Sequence, residues 1–444
     1  MTTAIEFENK QYIDDTTNKI YIDRDGLMKE TKEELKKKGF MNVEFDGYKI
    51  IKYIKDGLNL AHFHDTGKGK GLYRSIITKN GILMCYSPPK SKKFDCRWKN
   101  SNKDMGKLRI TELVEGTMIN VFFDAEQDCW QIATRSRING NGKFYKTEEN
   151  KTFREMFLEA MISTGLKWEM LDDYNCYSFV LQHPNNRIVL KHQKPSLVLT
   201  HIYSVTGILE KQYGNAINQV DINGKFGDKI VNNCEVTKPR DFSLPEFTYK
   251  DYEKFYGEES EYDIMGVVFT NEKGERTKIR NENYERVREL RGNNPKIQYQ
   301  FYNLRKNKRI TEYLHYYPSD TEIFDTYEKQ VREFTSELHN HYMNSYVYSK
   351  NPNSNIEKND KGYWVGFNNP RYKVHSYHLH NMFKLNRTED KYYKITLSRV
   401  ITYVNNLEPA RLMYSINFEL RQQNMTDLKN ELKDEFELVE KVKN

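Results

Sequence analysis

The sequence predicts an α+β chain, with antiparallel sheets through residue 310 and an α-helical domain from 311 to 444. Three observations carry this. Short β-rich runs recur in pairs around turn residues in the first part, which is the pattern of hairpins and antiparallel sheets. From about residue 318 helical spacing takes over. At 444 residues the chain exceeds the roughly 250–300 at which a single core stops growing, so two domains are expected, 1–310 and 311–444.

The elements follow in chain order. Residues 27–39, LMKETKEELKKKG, read as a charged helix stopped at Gly39. Tyr73 to Tyr86 reads as a hairpin turning at Asn80-Gly81, because that dipeptide tolerates the positive φ angles a tight turn needs. A second hairpin is read at Met118–Phe123 and Trp130–Ser136 across an acidic turn. Phe153 to Thr164 has apolar residues at helical spacing, with a break at Gly165. Strands are expected at YSFVLQ, RIVLKH, SLVLTHIYSV and DIMGVVF, with a polar loop near 235–260. Helices are expected at 320–346, 389–406 and 408–441, and a mobile polar loop at 349–362.

Composition narrows the functional classes. With 70 Lys+Arg against 63 Asp+Glu the formal charge is +7, which permits an anionic partner without requiring one. The 32 Tyr and 23 Phe supply a large core and could also stack on unpaired bases. Cys85, Cys96, Cys129, Cys176 and Cys234 are scattered and form no CxxC pair, which argues against a zinc ribbon or disulfide scaffold and fits a reducing compartment. The polar N-terminal stretch lacks an apolar core, and no run approaches a membrane span, so a cytoplasmic protein is expected.

Six short blocks then occur in a telling order. YRSIITKNGILMCYSPPKSKKFDCRW carries Arg74, Lys90, Lys93 and Phe94. ELVEGTMINVFFD places Glu115, Gly116 and Thr117 before a strand, and WQIATRSRINGNGKFY carries Arg135 and Ser136. SFVLQHPNNRIVL contains Pro184, Asn186, Arg187, Ile188 and Val189; MGVVF opens at Met265, and TKIRNENY holds Lys278 and Arg280. In order and spacing these blocks, about half the chain, resemble the phage-type RNA ligases of the covalent nucleotidyltransferase superfamily. The resemblance implies a nucleotidyltransferase domain followed by a helical C-terminal domain.

The departures from that family pattern fall on its chemistry. Leu113 stands where the family has the lysine of its KxDGS or KxDGT motif, Val180 where it has a glutamate four residues before the proline, and Met265 where it has the glutamate of EGhV. A lysyl-AMP phosphoramidate needs an amine nucleophile, and leucine has none. The acidic positions would hold ribose and metal, and valine and methionine supply no oxygen ligand. Catalysis at position 113 is therefore excluded. Lys107, six residues upstream, is the alternative nucleophile.

What the resemblance retains is basic. Arg74, Arg135, Arg187, Lys278 and Arg280, with Glu115 at the place of the motif aspartate, are the expected nucleotide- and phosphate-binding residues. The competing reading makes these cations structural ion pairs, and Glu112 and Glu115 partners of Arg109 and Arg135. No metal site is read from the sequence; ATP or another nucleotide with Mg²⁺ is the cofactor the resemblance implies. The expected function is an RNA- or nucleotide-binding pseudoenzyme that recognises an RNA end or cap-like nucleotide, or serves in an assembly. Protein partners would dock on the helical domain, and the pattern resembles proteins of large DNA viruses, implying a viral factory or virion. An active ATP-dependent RNA ligase and a purely structural subunit are the alternatives.

Two further features read as bland. His375, His378 and His380 lack a second ligand cluster and are expected to pack or lie at the surface. GKGKG at 67–71 lacks the Ser or Thr of a phosphate loop, and Lys68 and Lys70 read as solvated.

Overall fold

A computed structural model describes residues 16–22, 26–54, 70–143, 151–210, 214–348 and 369–429. Lys68 of the glycine-lysine turn, the 349–362 loop and the end of the 408–441 helix lie outside these residues. The chain divides into two compact units, Met1–Glu289 and Leu290–Asn444, and the expected 310/311 boundary lies inside the second.

The first unit begins β1 (Thr16–Ile22), α1 (Lys32–Lys37), β2 (Phe40–Phe45), β3 (Tyr48–Tyr53), β4 (Ile76–Lys79), β5 (Ile82–Tyr86) and α2 (Cys96–Ser101). It continues β6 (Arg109–Glu112), β7 (Thr117–Asp124), β8 (Cys129–Thr134), α3 (Phe153–Thr164), β9 (Asn175–Gln182), β10 (Ser196–Glu210) and β11 (Gly214–Val220). Then come α4 (Lys225–Val231), α5 (Tyr249–Tyr252), β12 (Gly266–Thr270), β13 (Arg276–Arg280) and α6 (Glu282–Arg291), whose last two residues belong to the second unit.

The strands make a six-stranded sheet in the order β1-β11-β10-β9-β7-β8, a four-stranded sheet β2-β3-β4-β5 and a three-stranded sheet β13-β12-β6. All pairings between these strands are antiparallel, as the hairpin signals predict. The largest sheet is covered on both faces. Phe122, Cys176 and Tyr203 pack on Ile50, Ile76 and Tyr86 of the four-stranded sheet. Phe179, Leu181 and Leu199 pack instead under Met156, Phe157 and Met161 of α3. A strand buried on both faces reads as a continuous apolar run, which is why β9 (NCYSFVLQ) shows no alternation. Helix α3 occupies the predicted span: Thr152 and Glu155 form a reciprocal cap at its start, and Gly165 at φ 73° ends it.

Three expectations are corrected. RIVLKH is not a strand; after a short 3-10 turn at Pro184–Asn186 it forms an irregular loop, because the Val189 and Leu190 N–H groups donate to the Glu115 carboxylate instead of to a ladder. The supposed loop at 235–260 contains α5 and a π-helical turn, Glu253–Glu259, started by a Thr248/Asp251 capping box. The expected helix over 389–406 is only its second half, since Asp390 accepts from the Tyr392 N–H and turns the chain first.

The second unit is helical: α7 (Ile297–Lys306), α8 (Ile310–Tyr316), α9 (Thr321–Tyr342), α10 (Pro370–Arg387), α11 (Leu397–Asn405) and α12 (Pro409–Ile416). Helix α10 was not anticipated, although Pro370 at its first turn and buried Tyr372, His375 and Leu379 at helical spacing signal it. His375 is a core histidine: its Nδ1 meets the Tyr403 hydroxyl at 2.9 Å and its Nε2 the Ser415 hydroxyl at 2.7 Å. Burial holds it neutral, with its pKa lowered to about 4, and both ring nitrogens are engaged, leaving neither for a metal. Among the described residues no helix is long and apolar enough to cross a membrane.

Candidate functional site

The three-stranded sheet has two unlike faces because strand side chains alternate. One face buries Ile110, Val267, Phe269 and Ile279 with Tyr252 and Tyr256. The other carries Arg276, Lys278 and Arg280 of β13, two residues apart each time, and Arg109 and Thr111 of β6, into a cavity of about 610 Å³. The register aligns them, with Lys278 paired to Val268, and Val268 to Thr111. The opposite wall comes from the six-stranded sheet through Met118, Val180, Thr200 and His201, and Arg74 enters from the start of the four-stranded sheet.

Leu113, Val180 and Met265 line this same cavity. They are far apart in sequence but held together by backbone. The Leu113 N–H donates to the Gly266 carbonyl at 2.9 Å, so the residue after Met265 anchors Leu113. Gly116 has φ 144°, and a β-carbon there would sit 2.5 Å from the Leu181 carbonyl oxygen and 2.6 Å from a Val180 methyl. Only glycine lets β7 approach β9 so closely.

The cavity is electropositive. Six Lys or Arg and three Asp or Glu line it. Arg240 grips Glu112 at 2.8 and 3.1 Å, and Arg109 lies 3.6 Å from Asp221. Burial, and then the Arg276 and Arg135 guanidiniums, lower the Arg74 pKa to about 10. Burial, and then Arg280, Arg74 and Arg276, lower Lys278 to about 8, opposed by Glu285. Among the described residues neither Arg74 nor Lys278 forms a salt bridge. Arg276 donates to His201 Nε2 at 2.9 Å and to the Pro89 carbonyl at 2.7 Å, while Arg280 pairs with Glu285. An imidazole that accepts from a guanidinium is neutral, and burial with Arg276, Arg109 and Arg74 nearby drives the His201 pKa well down.

Arg74, Lys278 and Arg280 of the expected binding residues thus meet in one groove, and Lys107, the alternative nucleophile, also lines it. Arg135 stands behind the wall, over the Tyr53 ring at 5.2 Å and donating to the Arg74 carbonyl at 3.4 Å. Arg187 donates to the Val189 carbonyl at 3.1 Å within its own loop. Glu115, expected as a ligand of the nucleotide, is buried at 3% exposure and accepts from Val189 and Leu190 N–H at 3.2 and 3.1 Å. These three residues are outside the groove lining. Phe94 packs with Tyr249 and Phe269 in the core. Arg276, Arg109 and His201 were missed, although Arg276 shares the two-residue alternation of Lys278 and Arg280.

The Mg²⁺ that the resemblance implies does not fit this donor set. A hard divalent cation takes several oxygen ligands. Here two of the three lining carboxylates are held by arginines, and among the described residues no cluster of three or more His, Cys, Asp or Glu could hold a metal. The arrangement offers charge-assisted hydrogen bonds to a phosphate beside an apolar floor, with a neutral lysine amine available above pH 8.

No protein-family model matches the chain. It is 30% identical over 134 residues to an RNA ligase of Rhodothermus phage RM378, covering 28% of this chain and 29% of the phage protein. It is 25% identical over 258 residues to an immediate-early protein ICP-46 homolog of Invertebrate iridescent virus 6, covering 54% of this chain and 53% of that protein. The matches thus span about half the length of one relative and less than a third of the other. Among solved structures, a putative ATP-dependent DNA ligase from Aquifex aeolicus is 12% identical with a TM-score of 0.36, covering 75% of this chain and 92% of that one.

Proposed function

We infer that this chain, a member of the RNA-ligase-like nucleotidyltransferase family, binds a nucleotide or the phosphate of an RNA end and has lost the covalent step. The observation that carries this reading is the meeting of Leu113, Val180 and Met265 in one groove with Arg74 and Lys278. With Leu113, Val180 and Met265 the groove has neither an amine nor a carboxylate at the three places where the resemblance puts them.

The cations have a different fate. Arg74 and Lys278 are half-buried at a cost, since each pKa is held down by desolvation and by neighbouring positive charge. An anionic ligand repays that cost, whereas a structural ion pair would show its carboxylate. RNA-end or cap-nucleotide recognition is the finer role we assign. An RNA-handling step of a viral cycle is the setting, which the viral origin of both relatives supports.

Fluorescence anisotropy with a labelled 5′-phosphorylated oligoribonucleotide tests the reading. R74E and K278E should each weaken binding by about tenfold or more, or about 1.4 kcal/mol. The same reversal at exposed Lys373 of the second unit should change it little. Equal affinity for all three variants and wild type would sink the groove as the binding site.

A second reading, an active ligase with a displaced nucleophile, rests on Lys107 and Lys278. Both amines line the groove, and Lys278 with its pKa near 8 is neutral often enough to attack an α-phosphorus.

A further inference from the structure

Resting on that reading, we propose that the groove holds the phosphomonoester of a nucleotide or RNA end with its own fixed cations, without a divalent metal ion. In nucleotide chemistry a divalent cation offsets phosphate charge and is itself held by oxygen ligands. The groove lacks the second half of that arrangement and supplies the first half by other means.

The carboxylates are spent or absent, with one exception. Val180 and Met265 present methyl, methylene and thioether surface where the resemblance puts carboxylates. Glu112 is held by Arg240 through both its oxygens, and Asp221 lies beside Arg109. That leaves Glu272 as the lining carboxylate with no ion pair among the described residues, exposed in the turn between β12 and β13. One exposed carboxylate is a poor anchor for an ion that must shed water to bind.

The positive charge is already in place. Arg74, Arg276, Lys278 and Arg280 form one set, near enough that Arg74, Arg276 and Arg280 each lower the Lys278 pKa. A metal ion entering there would add two charges to that repulsion, while a phosphomonoester dianion would remove it. Guanidinium groups also present paired donors matched to phosphate oxygens. Leu113, Met118, Val180 and Met265 beside them suit a sugar or base edge and not the hydration shell of an ion. At about 610 Å³ the cavity is within the range of small-ligand sites.

Isothermal titration calorimetry on the full chain tests this. The probes are AMP, a 5′-phosphorylated oligoribonucleotide and the same oligoribonucleotide with a 5′-hydroxyl, each titrated in EDTA and again in Mg²⁺. The proposal expects AMP or the 5′-phosphorylated strand to bind in EDTA with a Kd within about twofold of the Mg²⁺ value, and the 5′-hydroxyl strand to bind at least about tenfold more weakly. Stronger binding of AMP identifies a free nucleotide as the source of the phosphate, and stronger binding of the strand identifies an RNA end. Binding present in Mg²⁺ and lost in EDTA overturns metal independence but leaves the groove as a phosphate site. No binding of either phosphorylated probe in either buffer overturns the groove reading itself.

Discussion

Lys278 shows how a single residue registers its surroundings. Its ammonium is unfavourable because burial and three guanidiniums act against it, with Glu285 in its favour, and its pKa falls to about 8. A lysine depressed in this way stays protonated in the unfolded chain up to its ordinary pKa of about 10.4. The unfolded chain therefore binds more protons between these two values, and the ligand-free protein gains stability as pH rises from about 8 towards 10.4. The proposed phosphate binding runs the other way, since it would need the ammonium. Affinity for AMP should rise as the phosphate takes its second charge near pH 6 and fall as pH passes about 8, giving a bell-shaped profile by calorimetry. In K278R the side chain stays charged and the upper limb should move to higher pH. A wild-type profile flat from pH 7 to 9.5 would show that Lys278 does not face the ligand. The sequence made Lys278 legible through its place in an ordered series of blocks. It did not reveal that Arg276 joins it, because that arginine became significant only once β13 was seen to turn one face to the cavity.

The loop that follows β9 shows where reading the sequence reached its limit. Pro184 to Val189 matches the family pattern closely, and the run RIVL has the composition of a strand. Yet the loop is held from a distance by Glu115, which stands 74 and 75 residues before the two N–H groups it accepts from. Position alone casts Glu115 as a ligand of nucleotide; burial beneath the loop and beside the phenol of Tyr284, whose pKa that carboxylate helps push up, gives it the work of shaping the wall. Long-range hydrogen bonding of this kind leaves no local signature. By contrast α3 was legible to the residue, because its caps and its apolar spacing are all local. Replacing Glu115 by alanine strands two amide donors, at about 1–3 kcal/mol for each unsatisfied group. For a unit of this size E115A should lower Tm by roughly 5–10 °C in a thermal melt. E115Q, which keeps an acceptor oxygen, should lose less. An unchanged Tm in E115A would mean that the loop does not depend on this carboxylate.

Across the whole molecule, the order of short blocks proved more informative than any one of them. Leu113, Val180 and Met265 are spread over about half of the first unit, and the cavity they share follows from three sheets that are each built from neighbouring or distant hairpins. The α+β division into a sheet-rich unit and a helical unit was legible from hairpin signals and helical spacing. Within the helical unit α10 falls outside the expected helices, although Pro370 and the spacing of Tyr372, His375 and Leu379 signal it, and His375 packs in the core, one of the two places expected for the histidine group. A net charge of +7 said little by itself, and its meaning came from six cations set against three acids in one groove. The decisive experiment incubates the purified chain with α-phosphate-labelled ATP or GTP in Mg²⁺ or Mn²⁺ and resolves it by denaturing electrophoresis. A groove that binds phosphate and has lost its nucleophile leaves no label on the protein. A labelled band that disappears in K278A or K107A would restore a covalent nucleotidyl transfer to this chain.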